Sequence, residues 1–114
     1  MHIKKISKKQ ERRIAERLSS NGEKAKTQPL SGASFNKKSD VVSELFQIEA
    51  KTKSKPSKSI TLKKEYFDKI HNEALETNKI PILVFSFGDN KDYYILEEFD
   101  FMQLVKNIKA KEGD

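Results

Sequence analysis

The run Pro81-Ile82-Leu83-Val84-Phe85-Ser86-Phe87 constrains the fold more than any other stretch of this chain. It is short, mostly apolar and stopped by Gly88, which reads as a strand buried on both faces rather than a half-exposed one. Such a strand needs cover above and below, and the neighbouring segments supply it. Residues 62–78 place Leu62, Tyr66, Phe67, Ile70 and Ala74 at helical spacing. Asp89-Asn90 suits a turn, after which Tyr93-Tyr94-Ile95-Leu96 forms the hairpin partner of the buried strand.

Further elements follow from the same patterns. Residues 4–20 contain no Gly or Pro, are rich in helix formers, carry Ile14, Ala15 and Leu18 as apolar positions, and end at Asn21-Gly22. Residues 24–38 are polar and turn-rich, a loop with room for one short strand. Strands are expected over 40–43 and 45–52, joined by a short turn at Ser43-Glu44. In the second, Phe46, Ile48 and Ala50 point one way, and Leu45, Gln47, Glu49 and Lys51 the other. A last helix is expected from Asp100. Asp100 and Gln103 form its capping box, Phe99 and Leu104 its hydrophobic staple, and Phe101, Leu104, Val105 and Ile108 an apolar stripe. The sum is one α/β domain over residues 1–114, a small mixed central sheet flanked by helices, with flexible ends at 1–7 and 110–114.

Charge narrows the function. The net charge is +6 over 114 residues, but it is unevenly spread. Residues 1–64 hold seventeen Lys and Arg against six Asp and Glu, whereas residues 65–114 hold six against eleven. A positive half of this kind suits a polyphosphate backbone, whose neutralisation releases counterions. The plainer reading is a solvated lysine face that keeps a small protein in solution. With no Cys there is no disulfide, thiolate metal site or cysteine nucleophile, and two histidines, His2 and His71, do not suggest a zinc centre. His71 reads as a boundary residue of its helix. No run approaches the length of a membrane span and the basic N-terminus lacks an apolar signal core, so a cytoplasmic protein is expected, without membrane partners.

Within the basic half, one constellation carries chemistry. Glu49 and Lys51 lie two apart on a strand and so emerge on one face. The turn at Ser43-Glu44 folds Asp40 back beside Glu49. Two close carboxylates and the Ala50 carbonyl between Glu49 and Lys51 form an all-oxygen donor set, the kind Mg²⁺ takes. Lys51 then stands where it can assist a water or offset phosphate charge. Glu11 precedes Ile14, Ala15 and Leu18 by 3, 4 and 7 residues, in line with the apolar side of its helix. A carboxylate turned toward a core is costly unless paired or metal-bound. Taken singly, each feature has a plainer reading. Glu-x-Lys is common on solvated strands, Asp before a strand is commonly a turn residue, a Glu near a helix end can point to solvent, and Ser31-Gly32 makes a tight turn. The joint arrangement in a basic half-chain is what points to a site.

Ser31-Gly32-Ala33, Ser39-Asp40-Val41-Val42 and Ile48-Glu49-Ala50-Lys51-Thr52 together resemble the core of the PD-(D/E)xK nuclease superfamily. More narrowly, they resemble archaeal-type Holliday junction resolvases and their phage-encoded relatives. Glu11-Arg12-Arg13-Ile14-Ala15-Glu16-Arg17-Leu18 is similar to the N-terminal helix of those enzymes, which carries a metal-site glutamate where Glu11 stands. The likeness covers residues 8–100. It implies a restriction-endonuclease-like fold, a homodimer, Mg²⁺ dependence with Mn²⁺ as substitute, and cleavage of structured DNA to leave a 5′-phosphate. For a phage-encoded protein it places the enzyme in the host cytoplasm. The resemblance puts Glu11, Asp40, Glu49 and Lys51 at catalytic positions, Asp40, Glu49 and Glu11 with the Ala50 carbonyl on the metal, and Ser31 as a loop serine near the site. Two departures stand out. Ser39 replaces the proline of the superfamily's name. The 62–78 helix lacks the Gln that many members place near the site, leaving Lys63 or Lys64 as candidates for that place.

The function expected is metal-dependent cleavage of branched DNA, with a Holliday junction first among substrates. Lys24, Lys26, Lys37, Lys38, Lys53, Lys55, Lys58 and Lys63 are the expected backbone contacts. Two alternatives share the charge pattern. One is a basic nucleic-acid-binding module without chemistry; the other is a nuclease for nicked or flap DNA, or one working in restriction or repair.

Overall fold

The computed structural model of the chain describes residues 2–28 and 39–113. Ser31, Lys37 and Lys38 lie outside the described residues. Among the described residues, three helices and five strands follow in the order α1 (His2–Ser20), β1 (Ala25–Thr27), β2 (Val41–Ser43), β3 (Phe46–Thr52), α2 (Lys64–Thr77), β4 (Ile80–Ser86), β5 (Asp92–Leu96) and α3 (Glu98–Gly113). The strands form one mixed sheet in that order. β1 with β2, β2 with β3, and β4 with β5 pair antiparallel, whereas β3 and β4 are parallel neighbours joined through α2. The chain is therefore a small α/β fold, and no helix among the described residues is long and apolar enough to cross a membrane.

The sheet's two faces divide the strands by alternation. α1 packs Ile14 and Ala15 on a core of Val41, Ile48, Ile82 and Val84, with Leu18, Phe46, Ala50 and Leu96 at its border. The intervening residues of β3 and β4 face the other way, where α2 buries Ile70 and Ala74. Gln47 and Glu49 belong to that second face. Further along it, the Phe85 and Tyr93 rings stack at 5.1 Å.

Local chemistry explains the element ends. Gly22 takes φ 93° after α1, and the Glu23 N–H returns to the Leu18 carbonyl at 2.9 Å. Asn78 closes α2 in the left-handed region at φ 56°, while the Lys79 N–H reaches the Ala74 carbonyl at 2.9 Å. Gly88, at φ 88°, lies so close to the backbone of Lys55 that a Cβ would stand 2.5 Å from its carbonyl oxygen.

Several expectations need correction. α1 begins at His2 and α3 continues to Gly113. α3 starts at Glu98 rather than Asp100, because the Glu97 carbonyl already accepts the Phe101 N–H at 3.0 Å. Asp100 thus sits inside the first turn and caps nothing as a box. Phe99 is 70% exposed, so there is no hydrophobic staple. The α3 stripe exists as a pattern, yet none of its side chains is buried.

Candidate active site

The site lies where β2 ends beside β3. Asp40 stands one residue before β2 and bridges the gap to β3 twice. Its N–H donates to the Ile48 carbonyl at 3.0 Å, and its Oδ2 accepts the Ala50 N–H at 2.8 Å. The carboxylate thereby replaces the ladder partner that β2 no longer provides. Within a strand, the N–H and C=O of one residue point to the same edge. The Ala50 carbonyl therefore faces the same edge as Asp40.

Glu49 is 6% exposed and turned toward α2. Its Oε1 lies 3.2 Å from Lys69 Nζ, and its Oε2 lies 3.5 Å from Lys51 Nζ. Burial pushes the Glu49 carboxyl above the usual carboxylate range, and the nearby Asp40 charge pushes it further; Lys69 and Lys51 pull the other way without cancelling them. The Asp40 contribution reflects two like charges held near each other. Lys69 shows the converse balance. Burial works against its charge, but Glu49 and Glu73 outweigh burial and raise its pKa.

α2 contributes more than a cover. Lys69 Nζ also meets Glu73 Oε2 at 3.1 Å. The Ser39 hydroxyl donates to Glu73 Oε1 at 3.2 Å, the Gln47 amide donates to the Ser39 hydroxyl, and the Thr77 hydroxyl donates to Gln47 Oε1 at 3.0 Å. This chain of polar contacts ties α2 to the strand ends that carry Asp40 and Glu49. The Lys51 ammonium lies 4.1 Å from the centre of the Tyr66 ring, a cation–π contact that holds it over the start of α2.

The structure thus brings Asp40, Glu49, Lys51 and the Ala50 backbone together. Glu11 is buried as its spacing predicts, at 5% exposure, with Oε1 3.5 Å from Lys8 Nζ. Among the described residues, however, no three Asp, Glu, His or Cys side chains are gathered closely enough to hold a metal ion. Glu11 does not join Asp40 and Glu49 in such a group. The physical reason is the pleat: α1 covers the Ile48 face of β3, and Glu49 belongs to the other. The α2 lysine that reaches Glu49 is Lys69. Lys63 lies 3.9 Å from Glu65 and Lys64 2.9 Å from Asp68, both at exposed positions.

The lysines expected to meet DNA are exposed wherever they are described. Lys24 and Lys26 flank and occupy the edge strand β1, and Lys63 precedes α2. Lys53, Lys55 and Lys58 share the β3–α2 loop. That loop is pinned to the end of β4, with Lys53 N–H on the Ser86 carbonyl at 3.2 Å and Ser57 N–H on the Phe87 carbonyl at 2.8 Å.

Sequence reasoning missed two groups. Tyr66, Lys69, Glu73 and Thr77 run along α2 at spacings of 3 and 4, a polar line beside the apolar stripe that could have been read as facing Glu49. Gln10, Arg13 and Asp92 form a second cluster on the α1 side. Arg13 grips Asp92 with two bonds of 2.7 Å, and the Gln10 amide donates to Asp92 Oδ1 at 3.2 Å and to the Lys51 carbonyl at 3.0 Å. Gln10 thereby links α1 to the backbone of the site.

No protein-family model matches this chain, and neither does any curated protein sequence. The geometry must carry the functional reading. Two carboxylates and a main-chain carbonyl at a strand edge offer oxygen donors of the kind hard divalent cations take. The paired like charges raise the energy of the ionised site, and a bound cation lowers it again. The residues present therefore fit such an ion, with Asp40, Glu49 and Ala50 as donors.

Proposed function

We propose that this protein is a Mg²⁺-dependent endodeoxyribonuclease of restriction-endonuclease-like fold that cleaves branched DNA, with a Holliday junction as its leading substrate. One observation carries the reading: Asp40 is bonded to the Ala50 N–H at 2.8 Å beside a buried Glu49, and Lys51 reaches Glu49 from two residues away. The parallel pair β3–β4 with α2 between them, and the basic half-chain, support it as well. Asp40, Glu49 and the Ala50 carbonyl would hold Mg²⁺, or Mn²⁺ in its place. When bound, the ion supplies Lewis-acid activation of water and of the scissile phosphate. Lys51, steadied on the Tyr66 ring, offsets charge that builds on the phosphate. Lys24, Lys26, Lys53, Lys55 and Lys58 hold the DNA backbone without reading bases. Glu11, on α1, stands outside the donor pair.

The test is cleavage of a synthetic four-way junction in Mg²⁺, with linear, nicked and flap DNA in parallel. Asp40→Asn and Glu49→Gln are expected to lower the rate by roughly 10²-fold or more with circular dichroism unchanged. Full activity in either variant removes the assignment. Cleavage of flap or nicked DNA alone keeps the chemistry and changes the substrate.

A second reading has its own observation. Both Glu49 oxygens already meet ammonium groups, Lys69 and Lys51, so the acidic pair has cationic partners without a metal. On that reading the chain is a basic DNA-binding module without chemistry. Junction binding equally tight in EDTA and in Mg²⁺, with no nicking in Mg²⁺ or Mn²⁺, selects it.

A further inference from the structure

Lys69 divides its contacts between two carboxylates. Its ammonium donates to Glu49 Oε1 at 3.2 Å and lies 3.1 Å from Glu73 Oε2. The two acids are placed differently. Glu49 belongs to β3, so its contact with Lys69 crosses from strand to helix. Glu73 stands four residues further along α2, so its pair with Lys69 is internal to the helix and survives a change at the strand. Glu73 is itself held. Its side chain is only 14% exposed, and Oε1 accepts the Ser39 hydroxyl at 3.2 Å. Lys69 keeps half of its side chain in solvent. It has room to move and a fixed second acid to stay with. Lys51 is placed otherwise: its ammonium stands 3.5 Å from Glu49 Oε2, beyond a good hydrogen bond, and rests on the Tyr66 ring.

Glu49 needs a counter-charge, because it is buried and near Asp40. An ammonium and a divalent cation compete for the lone pairs of one carboxylate. We propose that Lys69 is a resident counter-ion of Glu49, which a divalent cation must displace in order to bind, and that Glu73 retains the displaced ammonium. The inference rests on the metal site of the nuclease reading. It joins two features of that site: donors that fit a hard cation, and an acid already bonded to an ammonium. In the exchange Lys69 keeps its proton and its charge, and only its partner changes. Lys69 is thus a positioning residue that sets the affinity for metal, and Glu73 acts through Lys69.

The test titrates Mn²⁺ alone, without DNA, into the full chain. Free Mn²⁺ is read from its paramagnetic resonance signal, and circular dichroism confirms the fold. Lys69→Gln is expected to bind Mn²⁺ about 5–10-fold more tightly than the wild type. Lys69→Arg is expected to bind as the wild type does. Glu73→Gln is expected to bind about threefold more weakly, because Lys69 is left with Glu49 alone. Simple summing of charge gives the same signs, so the double variant decides. Once Lys69 is gone Glu73 has no ammonium to hold, and Lys69→Gln with Glu73→Gln should bind as tightly as Lys69→Gln. A fall by the full factor seen in Glu73→Gln overturns the proposal. So does an equal gain in Lys64→Gln, which removes an exposed lysine of the same helix paired with Asp68. Unchanged or weaker binding by Lys69→Gln overturns this inference and leaves the nuclease reading standing. The expected shifts without cleavage of any DNA do the reverse. Absence of Mn²⁺ binding in both the wild type and Lys69→Gln overturns both. Should Lys69→Gln not fold, Glu73→Gln decides alone: weaker binding supports the proposal, and unchanged or tighter binding overturns it.

Discussion

The two faces of the sheet are made from alternate residues of the same strands, yet they do opposite work. Under α1, Ile48, Ile82 and Val84 meet Ile14 and Ala15 in a dry core. Under α2, Gln47 and Glu49 of the same β3 strand meet Thr77 and Lys69. The first face gains stability from apolar burial. The second holds buried polar groups, each of which must be matched by a partner to avoid a desolvation cost. The strand period ties the two together. Because Ile48 is fixed in the core, Glu49 is fixed on the site face, and a one-residue slip would exchange them. The dry face therefore aims the wet one.

The largest stability effect should come from a buried charge on the α1 side. Asp92 has a side chain only 1% exposed, gripped by Arg13. Arg13→Ala leaves that carboxylate the Gln10 amide at 3.2 Å and the Arg17 guanidinium at 3.8 Å, and up to about 3–5 kcal/mol of stability should be lost in urea unfolding. A loss near zero would mean that Asp92 is balanced by other groups. Next comes Ile48→Ala, which opens a cavity in the dry core and should cost about 3 kcal/mol. Its sharper use is as a contrast with its neighbour: junction cleavage, measured well below the melting point, should fall far less in Ile48→Ala than in Glu49→Gln. Equal losses would show that the two faces are not separable.

That division is partly written in the sequence. The alternation in 46–51 by itself separates Ile48 from Glu49, and the Pro81–Phe87 run announces a strand covered on both sides. The spacing of Glu11 from Ile14 and Leu18 correctly implies burial, since a helix has one inner side. It does not say which sheet face that side meets, and so it cannot decide whether Glu11 stands beside Glu49. Lys69 is illegible for a related reason. It lies twenty residues from Glu49, and only the β3–α2–β4 crossover brings them together. At α3, Asp100 with Gln103 looks like a helix start, but a cap depends on backbone geometry, and the Glu97 carbonyl has already begun the helix. An apolar stripe shows that a helix wants a partner and is silent on whether the same chain supplies it.

The smallest expected effect tests the comparison most directly, because its sign is unusual. Glu49 keeps its proton to higher pH in the folded chain than an ordinary carboxyl does, through burial and the Asp40 charge. Below the usual carboxylate range, both folded and unfolded chains are protonated there and the group costs nothing. As pH rises through that range, the unfolded chain releases the proton first, and the folded state loses relative stability until its own raised pKa is passed. At neutral pH the charge of Glu49 is thus a burden on the metal-free fold. Glu49→Gln should therefore melt slightly higher than the wild type at pH 7 in EDTA, with the difference closing as pH falls toward 4. Mg²⁺ should raise the wild-type melting point and leave Glu49→Gln unmoved, since a cation relieves only a charged pair. A variant less stable than the wild type at pH 7 would show that the Lys51 and Lys69 contacts outweigh burial. The site face would then be a structural ion cluster, and the two faces of the sheet would differ in composition but not in purpose.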